Sequence, residues 1–333
     1  MYGGSNMTTW GHFSKIQPVA SKILINSIKK HRMSHAYLIQ GNRGTGKRTL
    51  ARLIVQTIFC VQKNGVEPCQ TCNYCKRIKS GNFPDLHWIK PDGPSIKNEQ
   101  ISELQHEFTY SGFESRRKVY VIEDAHTLTE NASNRILKFL EEPHSDTTAI
   151  ILTENSQSII PTIHSRCQRI DLKPLSKQYF QEKLQANDIS MQDVRLISHL
   201  TADLDEAFQL NEDKWFAQAR KIMLQLIHVY ITNPEDAFLF LHEHWLEHFQ
   251  NKHEQERGLD LLIIAFKDII YFHIDNPDSM VVFSAEDELL KRAIMTFSYD
   301  RLIHILKALL EAKQKLRQNV HSTLVMEQLT LQI

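Results

Sequence analysis

Residues 41–48 read Gly-Asn-Arg-Gly-Thr-Gly-Lys-Arg, the spacing of a loop whose backbone N–H groups cradle phosphates. Gly41, Gly46 and Lys47 stand where the pattern G-x-x-x-x-G-K-[ST] needs them. The backbone around Gly44, Thr45 and Gly46 and the start of the next helix would bind the anion, with the Lys47 ammonium on the outer phosphates. The next position should carry a hydroxyl for Mg²⁺, and Arg48 stands there instead. Thr49 comes one place late and would serve only if the loop shifted register. The plain alternative is a glycine-rich strand-to-helix turn that binds nothing.

A second candidate lies in the apolar run Val119–Ile122, which ends in Glu123-Asp124. A strand with an acidic tip can organise Mg²⁺ with its first carboxylate and polarise water with its second. The usual order is Asp then Glu. The inversion alters the reach of both groups by about one methylene, a misplacement that can cost on the order of 10²-fold in rate. The alternative is a core strand with a solvated acidic cap.

Cys60, Cys69, Cys72 and Cys75 form the third candidate, with three thiols packed into seven residues. Four thiolates close a tetrahedral Zn²⁺ shell, which makes such a site structural. A redox role would use one C-x-x-C pair and leave two thiols unexplained. The following Lys76, Arg77 and Lys79 allow a nucleic-acid-binding zinc ribbon, although Tyr74 is the one aromatic residue within it. Ser165-Arg166-Cys167 offers an arginine for a neighbouring phosphate site, but spacing alone favours an ordinary surface salt bridge. His244, Glu247 and His248 match H-x-x-E-H without a recognisable third ligand, so a solvated helix face is favoured over a protease centre.

These groups need a scaffold. Residues 35–172 alternate short β runs with helical patterns, the signature of a helix-covered parallel sheet. The runs are Ala36–Gln40, Leu86–Ile89, Val119–Glu123, Ala149–Thr153 and Arg169–Leu172. Leu50, Leu53, Ile54, Thr57 and Ile58 recur at helical spacing after the loop. Beyond Pro174 the pattern becomes helical, with a small unit over residues 173–211 and a larger block behind it, in which Asn276-Pro277-Asp278 reads as a turn. Lys plus Arg equals Asp plus Glu at 39 each, so no global basic field advertises nucleic acid. The longest apolar run is too short for a bilayer, and a reducing cytoplasmic setting is expected. Residues 1–6 read as extraneous, with a natural start at Met7.

In order, "SHAYLIQGNRGTGK", the four-cysteine insert, "KVYVIEDAHTLTENASNRILKFLEEP" and "IIPTIHSRCQRIDL" resemble the AAA+ clamp-loader subunits of bacterial DNA polymerase III. The likeness is specific over residues 10–205. It implies an α/β AAA+ P-loop domain at 7–172 with a four-cysteine zinc module near 60–80, a helical lid at 173–211 and an all-α collar at 212–333. It implies structural Zn²⁺, gamma/tau and delta subunits as partners, and a sliding clamp and primed DNA reached through the assembled complex. ATP or ADP in this chain's own loop is left open. The family contains an ATP-hydrolysing motor and a stator that supplies its Ser-Arg-Cys arginine to a neighbour, a role Arg166 would inherit. Arg48, the inverted Glu123-Asp124 and Asp205 (where the motor carries a sensor arginine) point to the stator. The chain also lacks the long extension of the tau form. The alternative is a motor subunit with its own ATPase.

Overall fold

The computed structural model describes residues 9–110, 117–141, 146–274, 282–283, 287–318 and 320–333. The turn expected at 276–278 and the six leading residues lie outside them. The chain divides into two compact units, Met1–Ser176 and Lys177–Ile333.

The first unit opens with α1 (Trp10–Ile16) and α2 (Pro18–Lys29), then β1 (Ala36–Gln40), α3 (Lys47–Phe59) and α4 (Asn73–Ser80). It continues with β2 (Leu86–Ile89), α5 (Asn98–Tyr110), β3 (Lys118–Ile122), α6 (Glu130–Glu141), β4 (Thr147–Thr153), α7 (Pro161–His164) and β5 (Gln168–Asp171). All five expected strands form, with ends displaced by at most two residues. β4 starts earlier because Thr147 and Thr148 extend its pairing with Lys118 and Val119.

The strands form one parallel sheet in the order β2-β3-β4-β1-β5. Successive side chains alternate between its faces. Tyr37, Ile39, Val119, Val121, Ile150 and Leu152 enter a core with Trp10, Phe13, Leu50 and Ile54. Ala36, Leu38, Tyr120, Ile122, Ala149 and Ile151 enter the opposite core with Ile101, Ile136 and Ile163. Burial on both faces explains why β1 and β3 read as nearly continuous apolar runs. The order also brings the C-terminal ends of β1, β4 and β3 side by side, which is where parallel α/β sheets place their ligands.

Described residues of the second unit contain helices and no strand. α8 (Lys177–Gln185), α9 (Met191–Leu200) and α10 (Leu204–Glu212) come first. They are followed by α11 (Lys214–Thr232), α12 (Ala237–Phe240), a π turn over Leu241–Trp245, α13 (Leu246–His248) and α14 (Lys252–His273). α15 (Asp287–Thr296), α16 (Tyr299–Arg317) and α17 (Ser322–Gln332) complete the chain. Asn251 and Glu254 cap α14 reciprocally. Gly258 lets Trp245 lie against α14, since a Cβ there would sit 2.6 Å from the indole.

Candidate functional site

The loop between β1 and α3 keeps a phosphate-cradle backbone. Gly44 and Gly46 take left-handed φ values of 78° and 88°, and Gly46 caps α3. A Cβ on Gly41 would meet the Thr45 hydroxyl at 2.5 Å, so only glycine fits where the loop closes on itself. Thr45 is buried and donates to the Asn42 carbonyl at 2.9 Å. Gln17, also buried, donates to the Thr45 and Lys173 carbonyls at 3.2 and 2.7 Å and accepts from the Lys173 N–H at 3.1 Å. The Lys47 ammonium donates to the Gly41 and Asn42 carbonyls at 2.7 and 2.9 Å and pairs with Glu154 at 3.3 Å.

Arg48 does more than omit a hydroxyl. Its guanidinium forms an ion pair with Glu123 Oε1 at the tip of β3. Glu123 is 2% exposed, so its carboxylate is not a solvated cap. Its other oxygen accepts from Trp88 Nε1 at 3.0 Å, and Lys90 lies 4.0 Å away. Asp124 turns into the left-handed region at φ 51°, which a short polar residue tolerates, and its carbonyl accepts from the Thr127 N–H. Thr49 lies in the first turn of α3, about 100° around the helix from Arg48.

At the far end of α3, Cys60, Cys69, Cys72 and Cys75 bring four sulfurs within 4.8 Å of one another. Among the described residues this is the one group of three or more metal-ligand side chains so placed. A Zn²⁺ ion with Zn–S bonds of about 2.3 Å needs sulfurs about 3.8 Å apart, so the cluster fits a modest contraction. The Cys69 N–H donates to Cys60 Sγ at 3.2 Å and the Cys72 N–H to Cys69 Sγ at 3.3 Å, helped by the left-handed turn at Gln70. The Cys72 and Thr71 N–H groups pull the Cys69 thiol down to about 6, whereas burial raises Cys60 and Cys75. A bound cation would reverse the latter by favouring the thiolates.

Glu67 of this insert accepts from the N–H groups of Trp10 and Gly11 at 2.9 and 2.8 Å, tying it to the start of α1. Tyr74 packs edge-on against Phe83 with centroids 5.5 Å apart. Arg77 lies over the same ring and donates to the Asn82 carbonyl at 3.1 Å. Both side chains are therefore engaged in packing the insert.

Arg166 lies between α7 and β5, with its side chain 33% exposed. It pairs with Glu141 at 2.7 Å and donates to the Thr162 carbonyl at 2.9 Å. Beside it, burial pushes the Cys167 thiol up to about 12. Asp205 occupies the first turn of α10, where its N–H donates to the capping Asp203 at 2.9 Å. An acidic group there suits the helix dipole. His248 of the H-x-x-E-H stretch stacks on Trp215 and contacts its carbonyl at 3.1 Å, a packing role.

Glu154, Trp88, Gln17 and Glu141 were not singled out in the sequence. Glu154 alone left a signal, as the first acidic residue beyond an apolar strand adjacent to β1.

Taken together, the strand order, the loop between β1 and α3 and the acidic tip of β3 define an AAA+ type P-loop domain. Residues 16–176 match the family model described as DNA polymerase III, delta subunit. The chain is 40% identical to DNA polymerase III subunit delta′ of Bacillus subtilis (strain 168), over 98% of each. It is also 38% identical over 162 residues to the tau/gamma subunit of Haemophilus influenzae, spanning 48% of this chain and 23% of that one. A DNA polymerase III gamma subunit-related protein of Thermotoga maritima overlays with a TM-score of 0.44 at 16% identity, covering 88% of this chain and 99% of the other. The chain belongs to the DNA polymerase III delta′ family of clamp-loader subunits. No helix among the described residues is long and apolar enough to cross a membrane.

Proposed function

We propose that this chain is a stator of the clamp loader: it holds position in a ring with gamma/tau and delta subunits and lends Arg166 to a neighbour's ATP. The ring would load a sliding clamp onto primed DNA, with most DNA contact made by the assembled complex. The observation that carries this reading is the pairing of Arg48 with Glu123 in the chain's own loop. The group that would replace the Mg²⁺ ligand also engages the carboxylate that would organise the ion, so own-site hydrolysis lacks two parts at once.

Arg166 suits donation in trans. Its guanidinium is held at a partly exposed edge by the Glu141 carboxylate, the Thr162 carbonyl and the Ser165 hydroxyl. A γ-phosphate arriving from a neighbour offers stronger charge-assisted bonds than the half-exposed Glu141. The residues 173–211 would act as a lid and 212–333 as the collar that joins subunits. The four cysteines would hold a structural Zn²⁺ whose chemistry is to fix the insert, while Glu67 anchors that insert to α1.

The test is reconstitution with Arg166→Ala. Assembly should be retained on gel filtration while clamp-stimulated ATPase falls. An unchanged ATPase rate would sink the assignment.

A further inference from the structure

Phosphate loops of this fold ordinarily take nucleotide together with Mg²⁺, and the residues present here do not fit that ion. We infer that Arg48 stands in the place of the metal, so that the loop rejects metal-bound nucleotide and any phosphate ligand it takes is the metal-free anion. This rests on reading residues 41–48 as a phosphate cradle.

Register comes first. Gly46 in the left-handed conformation fixes Lys47 as the first residue of α3, Arg48 as the second and Thr49 as the third. Gln17 pins the Thr45 carbonyl and both backbone groups of Lys173, so the loop is held against the slip that would bring Thr49 forward. No hydroxyl therefore reaches the metal position from this turn.

Charge comes second. Glu123 is buried at the tip of β3, and its backbone N–H is fixed to the Ile89 carbonyl at 2.9 Å. One of its carboxylate oxygens meets the Arg48 guanidinium, and the other accepts from Trp88. A divalent ion would have to break the Arg48 pair, and would then face Arg48 and Lys90 beside the same carboxylate. The guanidinium, by contrast, is a cation already on the chain, and it sheds water to meet phosphate oxygens more readily than a strongly hydrated ion does.

Titration calorimetry of the full chain with ATP, once in Mg²⁺ and once in EDTA, tests this for the wild type, Arg48→Thr and Arg48→Lys. The wild type and Arg48→Lys should bind ATP no tighter in Mg²⁺ than in EDTA. Arg48→Thr, with the hydroxyl restored and Glu123 freed, should favour Mg²⁺ by at least about tenfold. A wild type that binds in neither buffer still supports the inference if Arg48→Thr gains Mg²⁺-dependent binding. Tighter wild-type binding in Mg²⁺, or an Arg48→Thr chain that binds without regard to metal, overturns it. Binding by none of the three overturns the cradle reading and this inference with it, while the Arg166 assignment, read on a neighbour's ATPase, is untouched.

Discussion

The phosphate loop and the four-cysteine insert sit at opposite ends of α3, with Lys47 opening the helix and Cys60 closing it. Both gather groups that metals bind, and they treat those groups in opposite ways. At the loop, a side chain of the protein supplies the cation: Arg48 meets Glu123, and Lys47 meets Glu154. At the insert, four sulfurs converge on one another with backbone N–H groups for company. The comparison teaches that a metal motif has to be read with its counter-charges. The loop has the pattern of a metal site and the electrostatics of a closed one, whereas the insert has a donor set that an ion would complete.

The largest effect should come from the insert. If the cysteines hold Zn²⁺, elemental analysis should find about one zinc per chain. Chelation or Cys72→Ser should then unfold residues 60–80, as expected where metal binding contributes on the order of 10 kcal/mol to a small module. Protease cutting confined to this stretch would be the readout. An insert that resists both treatments would break the contrast by showing that it, too, is self-sufficient.

A buried carboxylate elsewhere sharpens the contrast. Asp268 in α14 is 1% exposed and accepts from the Val282 and Phe283 N–H groups at 2.8 Å each. Burial outweighs those bonds and raises its pKa from 3.8 to about 6. Its folded value thus lies above its unfolded one, so the folded state binds the extra proton. The favourable contribution is present below about pH 4 and is lost as pH rises towards 6. Asp268→Asn should remove a pH dependence of about 3 kcal/mol over that window in urea unfolding. A stability profile identical to that of the wild type would contradict the assignment.

The hydrogen bonds that brace the loop give a smaller effect. Gln17→Ala removes three hydrogen bonds around Thr45 and Lys173 and should cost about 1–3 kcal/mol of stability. It should also speed amide exchange at residues 41–46. Unchanged exchange there would mean that the glycine-rich backbone holds itself. Arg48→Thr, at about tenfold in metal preference, is comparable in size and bears most closely on the loop side of the comparison.

Much of this architecture was legible from residue order. Alternating β and helical patterns placed five strands within two residues, because β1 and β3 are buried on both faces and leave unbroken apolar runs. The cysteine spacing pointed to a cluster, and the four sulfurs do converge. Contacts between distant side chains were not legible. Arg48 read as a missing hydroxyl, and its pairing with Glu123 depends on a sheet order that places β1, β4 and β3 in a row. Gln17 lies 28 residues from Thr45 and 156 from Lys173, and no local pattern marks it. The segment around Glu123 does not by itself exclude a solvated cap; burial of the side chain and the Trp88 bond across the β2–β3 pair do.

As proposed, this chain serves ATP hydrolysis at a neighbour and not in its own loop. The most direct measurement is clamp-stimulated ATP turnover by the reconstituted complex carrying either Arg166→Ala or Lys47→Ala in this chain alone. An arginine supplied in trans is worth about 10³–10⁵ at the site it serves. Arg166→Ala should therefore abolish the share of turnover carried by that one interface, and Lys47→Ala should leave the rate unchanged. The reverse pattern, turnover lost with Lys47→Ala and kept with Arg166→Ala, would contradict it.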